Sequence, residues 1–194
     1  MSQLDVDIID IIGEVVTATK NVVLSTIKSN EAAALGSTLI ETINYQKGHV
    51  LELINTLSEM DRDTQSQLCR YPLIWLVLDI KEQRGREIGQ YGAMIPNIII
   101  AHYTEMTRKV DDRRAKVFSP VLEPIYREFM NQLSLHPSIM EGDPQAIQHD
   151  KIRRFFWGTQ KEAVVSDKSK VRLTDYLDAI EISNLQLNLL FKNC

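Results

Sequence analysis

The chain has 194 residues, of which 44% are apolar and 25% are charged, close to the averages for soluble globular domains. A chain of this length buries enough apolar surface to fold without disulfides or bound metal ions. The composition therefore predicts one ordered domain and excludes a largely disordered protein. The net charge of -4 and the pI near 5.6 provide no overall positive field to collect nucleic acid or an anionic membrane surface.

The cysteines and the N-terminal residues indicate the kind of cellular compartment in which the protein resides. Cys69 and Cys194 are too few for a disulfide framework, which favours a reducing compartment. No apolar run approaches the roughly 18 residues that cross a bilayer, and the first ten residues carry acidic side chains where a signal peptide is positive. We therefore expect the protein to stay in the compartment where it is made.

In the first third of the chain, apolar residues recur mostly every three or four positions. This spacing predicts an amphipathic helix over residues 4–27 and a second helix over residues 50–60. Residues 28–37 are predicted to form a loop or a short helical turn. Residues 42–45 are predicted to form a short strand that ends at Gly48.

Two apolar runs in the middle of the chain predict a pair of strands. Residues 73–78 have no polar break, which is typical of a strand covered on both faces, and we expect them at the centre of the sheet. Residues 98–104 form a β-branched run that pairs with them. The glycines of residues 85–92 favour a hairpin loop, because the segment lacks the spacing and the strand-to-helix context of a phosphate loop.

The clearest helical stripe of the chain predicts a helix over residues 119–133. Ser119 is expected to cap this helix and Pro120 to take its first position, so that Pro124 lies inside the first turns and distorts them. Residues 136–170 contain two prolines, two glycines and little periodicity. They are therefore predicted to form a long, extended loop.

The C-terminal run alternates apolar and polar residues, and the parity of the alternation changes at Ser183 and Asn184. A bulge or a sharp bend there would keep both halves facing the core. The order of helices and strands predicts an α+β fold, in which a mixed or antiparallel sheet with a central hairpin packs against helices in a single domain.

No catalytic or metal-binding constellation stands out. None of the histidines has a partner at the three- or four-residue spacing of helical metal ligands, at positions His49, His102, His136 and His149. Cys69 is interpreted as a small buried residue, since Arg70 is the only neighbour that would activate a thiolate. The sequence thus predicts no catalytic residue, no metal and no cofactor.

Basic and aromatic residues lie side by side in residues 151–157, with the sequence KIRRFFW. Such a combination stacks on bases and meets phosphates, but aromatic residues and arginine are also enriched at protein-interface hot spots. The acidic overall balance favours a protein interface. Its candidate residues are Arg153, Arg154, Phe155, Phe156 and Trp157.

Four segments carry a distinctive packing pattern: RYPLIWL at residues 70–76, residues 98–104, Arg113 and Arg114 ahead of VFSPVLEPIY at residues 117–126, and LTDYLDAIEI at residues 173–182. Together they resemble the neck and tail modules of tailed bacteriophages, specifically the head-to-tail connector and tail completion (tail terminator) ring proteins. The last segment is similar to the final strand of such proteins. The similar parts cover about half of the chain, and residues 136–170 lie outside them.

The resemblance implies an α/β fold and a structural virion protein without enzymatic activity. It implies a homo-oligomeric ring of sixfold or twelvefold symmetry, made in the host bacterial cytoplasm, with portal, neck or tail proteins as neighbours and no membrane partner. Genomic DNA would pass through the lumen without sequence-specific binding. An acidic chain suits such a lumen, because strong attraction to phosphates would hinder the passage of DNA.

Two hypotheses from other classes stay open at this stage. The first is a cytosolic DNA-associated accessory or regulatory protein that binds DNA through residues 151–157. The second is an enzyme with Cys69 as its nucleophile.

Overall fold

The computed structural model describes residues 7–49, 52, 70–84, 90–157, 162–166, 169–172 and 176–190. Helices pack on one face of a six-stranded mixed sheet, which is the α+β fold that the sequence predicts. The helices are α1 (Ile8–Leu35), α2 (Val110–Arg113), a π-helical segment (Arg114–Leu122) and α3 (Glu123–Leu135). The strands are β1 (Asn44–Gly48), β2 (Leu73–Val77), β3 (Lys81–Arg84), β4 (Gln90–Tyr103), β5 (Asp150–Trp157), β6 (Glu162–Ser166), β7 (Ser169–Arg172) and β8 (Leu177–Leu190).

The strands of the main sheet follow the order β1-β2-β4-β8-β5, and β3 also pairs with β4. β1 runs parallel to β2, and the other neighbouring strands of this sheet are antiparallel. The predicted hairpin is confirmed, because Leu73 pairs with Ala101 and Leu76 with Ile98. The centre of the sheet is β4 rather than β2, since β4 and β8 pair along their 14-residue lengths. β6 and β7 form a separate two-stranded sheet.

The first helix is longer than its apolar spacing suggests. Asp7 caps it by accepting a hydrogen bond from the Ile9 N–H at 2.8 Å, and the helix continues to Leu35. The loop or short helical turn predicted over residues 28–37 is instead a continuation of α1 as far as Leu35, because Glu31 and the following alanines are good helix formers. Gly36 ends the helix with φ at +82°, a conformation that costs glycine little.

Two predictions fall mainly on residues outside the described part of the chain. The second helix, predicted over residues 50–60, cannot be compared with the structure. Of the hairpin loop at residues 85–92, only the flanks are described, and there β3 pairs with β4 from Arg84 and Tyr91 onward. The short strand ending at Gly48 is confirmed as β1.

The helix predicted from Ser119 begins earlier, at Val110, so Ser119 is not its cap. Pro120 lies inside the π-helical segment, whose widened bonding is seen where the Glu123 N–H donates to the carbonyl of Phe118, five residues earlier. Pro124 has no N–H to donate to the Pro120 carbonyl, and that carbonyl accepts a hydrogen bond from Asn30 at 3.3 Å. The distortion expected from the prolines is thus a change of helix type.

The long loop predicted over residues 136–170 is wrong from Asp150 onward. Residues 150–157 form β5, which pairs with β8 at the edge of the sheet, and β6 and β7 follow it. Charged residues on both faces of β5 hide the alternation that marks a half-buried strand.

The parity change predicted at Ser183 and Asn184 is a bend, because β8 stays in one register with β4 on both sides of it. Asn184 has φ at +55°, which Asn tolerates better than most residues. β4 changes parity at the same level, where Ile95 and Ile98 are both buried. Matched bends therefore keep both strands facing the helices.

The core lies on both faces of the sheet. Ile98, Ile100 and Ile180 face α1 and α3, whereas Trp75 and Ile99 belong to a smaller apolar cluster on the other face. Each face takes alternate residues of the strands, so β2 is buried at all five positions.

Candidate interaction surface

A cavity of about 500 Å³ lies where α1 and β4 end together. Glu31 and His102 contribute to its wall, and Leu35, Leu39 and Tyr103 also line it. The loop after β4 closes one side with residues 105 and 108. With Tyr71, Lys116 and Val117 also in its lining, the cavity is built from four separate parts of the chain.

Glu31 and His102 form a buried pair in this wall, with 2.9 Å between Oε1 and Nε2. Thr38 Oγ1 and the Leu39 N–H also donate to Glu31, at 2.6 and 3.1 Å. Burial alone would raise the pKa of Glu31, but the hydrogen bonds, first among them that from His102, hold it below its ordinary value. The carboxylate is therefore the acceptor, and His102 Nε2 carries the donated proton.

The pair joins α1 to β4 and does not present a base to the cavity. His102 Nδ1 is shielded from solvent and has no hydrogen-bond partner among the described residues. A base must reach the proton that it abstracts, so a shielded nitrogen is poorly placed for this role. His102 is a buried contact between β4 and α1.

Exposed apolar side chains lie at this cavity and in the segment that follows β4. Leu35, Leu39 and Tyr103 line it, while Met106 and Val110 are exposed on the adjoining loop and helix start. We call these five residues the rim patch. Single exposed apolar residues are ordinary, whereas a group at one end of a molecule marks a contact surface.

Arg113 holds the loop that carries Met106. Its guanidinium is fully buried and lies 2.8 Å from Asp178 Oδ1. Its Nε donates to the Arg108 carbonyl at 2.8 Å, and its Nη2 donates to the Glu105 carbonyl at 2.9 Å. These bonds hold the backbone of residues 105–108, so Met106 of the rim patch lies on an ordered loop.

Phe156 connects the interface predicted from sequence to the rim patch. Its ring covers the guanidinium of Arg113 at 3.4 Å, and its N–H donates to Asp178 Oδ1 at 3.2 Å. Its φ of +55° is rare for an aromatic residue and lies in the bulge of β5 between Arg154 and Trp157. The side chain remains 40% exposed.

The other two aromatic candidates belong to the core of the chain itself. Trp157 is only 6% exposed and lies in the apolar cluster on the second face of the sheet. Phe155 packs against Phe118 with 4.9 Å between ring centroids. Of the three aromatic residues, Phe156 alone offers a large exposed surface to a partner.

The basic candidates are paired with carboxylates. Lys151 and Arg153 both bind Glu123 of α3, and Arg154 binds Glu181 on the other face of the sheet. Burial would raise the pKa of Glu123, but its hydrogen bonds from Lys151 and Arg153 keep it below the ordinary value. The cations therefore lie on two faces and are neutralised, which is unlike a groove that tracks a nucleic-acid backbone.

In comparisons with protein-family models, curated proteins and solved structures, the chain has no match. Across the part of the chain that the structure describes, no three side chains of His, Cys, Asp or Glu are grouped as metal ligands. No described helix is long and apolar enough to cross a membrane. Cys69 lies outside the described residues, so the proposed thiol nucleophile stays a hypothesis.

The rim patch was not predicted from sequence. Its members come from the end of α1, the end of β4 and the loop between β4 and α2, which are far apart along the chain. A partial signal exists in residues 105–116, where Met106 and Val110 are apolar residues in an otherwise charged or polar stretch. Neither residue belongs to a helical stripe, and the sequence alone does not show which distant residues lie beside them.

Proposed function

We propose that this chain is a structural subunit of a homo-oligomeric ring in the head-to-tail connector or tail of a tailed bacteriophage. The observation that carries the proposal is the rim patch, an exposed apolar surface whose Met106 lies on a loop that Arg113 holds in place. A surface ordered before contact loses little conformational entropy when a partner binds. Packing against other chains is therefore the function that this end of the molecule suits best.

The kind of assembly is inferred from the sequence segments that resemble connector and tail completion proteins. Residues 70–76 enter β2, residues 98–104 end β4, and residues 117–126 form the helix that covers them. The similar segments are thus neighbours in the core of the fold. Their likeness supports a shared scaffold for ring assembly, while the chain's own loops would select its neighbours.

The proposed ring surrounds the DNA channel and contacts portal, neck or tail proteins above and below. Its residence in the virion involves no membrane. Lys151, Arg153 and Arg154 already bind carboxylates, so they would add few contacts to phosphates of passing DNA. The β6–β7 hairpin forms a sheet of its own, which suits an arm that reaches an adjacent ring.

Sedimentation velocity of the purified chain tests this proposal. The protein is expected to sediment as a species larger than its 22.2 kDa monomer, with the assembled fraction rising with concentration. Met106→Gln should lower that fraction. Val22→Gln, which changes an exposed apolar residue in the middle of α1, should leave it unchanged.

The alternative, a DNA-associated accessory protein, predicts a different result. The chain would stay monomeric and bind duplex or single-stranded DNA, with the logarithm of its affinity falling against log salt at a slope of about -2 to -3 for three cations. Fluorescence anisotropy across a salt series measures this. Salt-sensitive DNA binding by a monomer would replace the ring proposal.

A further inference from the structure

Three buried polar atoms at one end of the main sheet have no hydrogen-bond partner among the described residues. They are His102 Nδ1, Thr104 Oγ1 and Asp178 Oδ2, and each of these residues is at most 7% exposed. A buried polar atom costs free energy unless a protein group or an ordered water bonds it, and nearly all such atoms in folded proteins are bonded. The three atoms therefore indicate a group that is bound among them.

The sheet register places the three residues side by side. His102 pairs directly with Asp178 across β4 and β8. The Thr104 N–H donates to the Tyr176 carbonyl at 2.8 Å, so the ladder continues two residues beyond His102. Directly opposite residues share one face of a sheet, and so do residues two apart on one strand. His102, Thr104 and Asp178 therefore point to the same face.

The partners of His102 and Asp178 show that this is the face that the helices cover. His102 Nε2 lies 2.9 Å from Glu31 of α1, and Asp178 Oδ1 lies 2.8 Å from Arg113 at the end of α2. Because Nε2 and Oδ1 are engaged in these bonds, neither side chain can turn to another protein partner without losing a buried hydrogen bond. The free atoms of both side chains therefore need a partner from outside the chain.

The hydrogen-bonding roles of the three atoms specify what that partner is. His102 Nε2 carries the proton donated to Glu31, so Nδ1 of the neutral imidazole is an acceptor. Asp178, paired with Arg113, also accepts through Oδ2, and the Thr104 hydroxyl can donate. The site thus fits a group that donates two hydrogen bonds and accepts one. Water does both, and a buried water typically makes about three hydrogen bonds.

We propose that one water molecule is bound among these residues, donating to His102 Nδ1 and Asp178 Oδ2 and accepting from Thr104 Oγ1. The water joins the pair of Glu31 and His102 to the pair of Arg113 and Asp178. The end of α1 and the loop that Arg113 holds then belong to one buried hydrogen-bonded network. The cavity that His102 also lines gives the water a route of exchange with solvent. This inference does not depend on the proposed ring function.

A crystal structure of the wild-type chain at about 1.5 Å resolution tests the site directly. We expect one density peak about 2.6–3.2 Å from each of the three atoms. A structure with no bound molecule within that distance of them overturns the proposal. Distances of about 2.0–2.2 Å, which are those of a bound metal ion, also overturn it.

Thr104→Val tests the same site in solution through the sign of its effect. Valine has the shape of threonine but no hydroxyl, so the bound water would lose its donor and the unfolding equilibrium constant should rise about tenfold. If the hydroxyl instead has no partner in the folded state, its removal leaves the protein equally stable or makes it more stable. That result would overturn the proposal. Urea denaturation measures the change.

Two further variants control for the loss of a buried threonine. Thr19→Val removes a buried hydroxyl that donates to the Val15 carbonyl of its own helix at 2.8 Å, and it should change the unfolding equilibrium constant less than about threefold. Thr104→Ser keeps the hydroxyl, so its crystal structure should show the same density peak. If Thr104→Val does not fold, loss of the peak in Thr104→Ser overturns the proposal and its retention supports it.

Discussion

Among single residues, Arg113 has the most demanding environment. Its buried guanidinium has Asp178 as its charge partner, two backbone carbonyls as further acceptors and Phe156 over its face. A buried ion pair adds little net stability compared with apolar side chains, but loss of one partner leaves the other charge uncompensated. Asp178 Oδ2, already without a hydrogen-bond partner among the described residues, makes this penalty larger.

We expect Arg113→Met to lower the free energy of unfolding by about 3–5 kcal/mol. Asp178→Asn together with Arg113→Met should cost clearly less than the sum of the two single changes, since the double variant buries no unpaired charge. Urea denaturation of the four proteins gives the coupling energy. Lys116→Met, which removes an exposed pair with Asp112, is the control and should cost less than about 1 kcal/mol. Additive losses at Arg113 and Asp178 would contradict this account.

Glu31 makes stability depend on pH with a defined sign. The folded state holds the pKa of Glu31 below its ordinary value of 4.5, so the unfolded chain binds this proton more tightly. The stabilisation is therefore present above the ordinary pKa and is lost as pH falls through the lowered pKa. We expect Glu31→Gln to be less stable than wild type near neutral pH, with the difference shrinking in acid.

Urea midpoints between about pH 7 and pH 3 measure this dependence on Glu31. His102→Gln on the same series separates the carboxylate from its partner, because it keeps Glu31 titratable. A difference between wild type and Glu31→Gln that stays constant across the range would show that the carboxylate is not held ionised by the fold.

Among the secondary-structure elements, β5 shows the largest difference between the role predicted from the sequence and the position of its residues in the structure. Trp157 and Phe155 support the core, while Phe156 faces outward over Arg113. A tryptophan beside two arginines suggests a hot spot, but the bulge after Arg154 turns Trp157 into the apolar cluster with Leu177. The edge strand therefore contributes first to the core of the fold. It contributes to the exposed surface through Phe156.

Trp157→Ala should lower the free energy of unfolding by about 3–5 kcal/mol, as expected for a large buried aromatic residue. Arg153→Ala on the same strand is the matched control, and its half-exposed pair with Glu123 should be worth less than about 1 kcal/mol. Chemical denaturation of both variants decides the point. A loss below about 1 kcal/mol for Trp157→Ala would return that residue to the interface and undo its place in the core.

The elements that could be predicted are those whose apolar pattern is local. β2 is an unbroken apolar run and α3 carries a clean stripe, so Trp75 and Phe129 are buried as expected. β5 was not predicted as a strand, because its charges are neutralised by Glu123 and Glu181, which are distant in sequence. The helix start at Val110 was not predicted, because Arg113 occupies a buried position where a periodic pattern has an apolar residue.

The candidate site was predictable only in part for a similar reason. Phe156 was named from its neighbours, and it does lie next to the loop of Met106. The rim patch as a whole needs α1 and β4 to end at the same level, which depends on the pair of Glu31 and His102. No local pattern in the sequence predicts the contact between Glu31 and His102, which are 71 positions apart.

At the scale of the whole molecule, the fold has two ends with different surfaces. One end offers the cavity and the rim patch, and at the other end the start of α1 lies beside the turn after α3, where His136 is 3.1 Å from Glu14. Hydrogen bonds from buried or paired groups order both ends, so the two ends already differ in structure before a partner binds. The ring proposal requires that copies of the chain add head to tail and that this series of copies closes.

Native mass spectrometry of the wild-type chain tests ring closure most directly. A closed ring predicts one dominant assembled mass that is a fixed multiple of 22.2 kDa, six or twelve copies in the proposed family, and that does not grow as concentration rises. The same mass should persist in Val22→Gln and be reduced in Met106→Gln. A ladder of dimers, trimers and larger species without a preferred size, or a monomer at every concentration, would contradict the claim that this protein is a ring subunit.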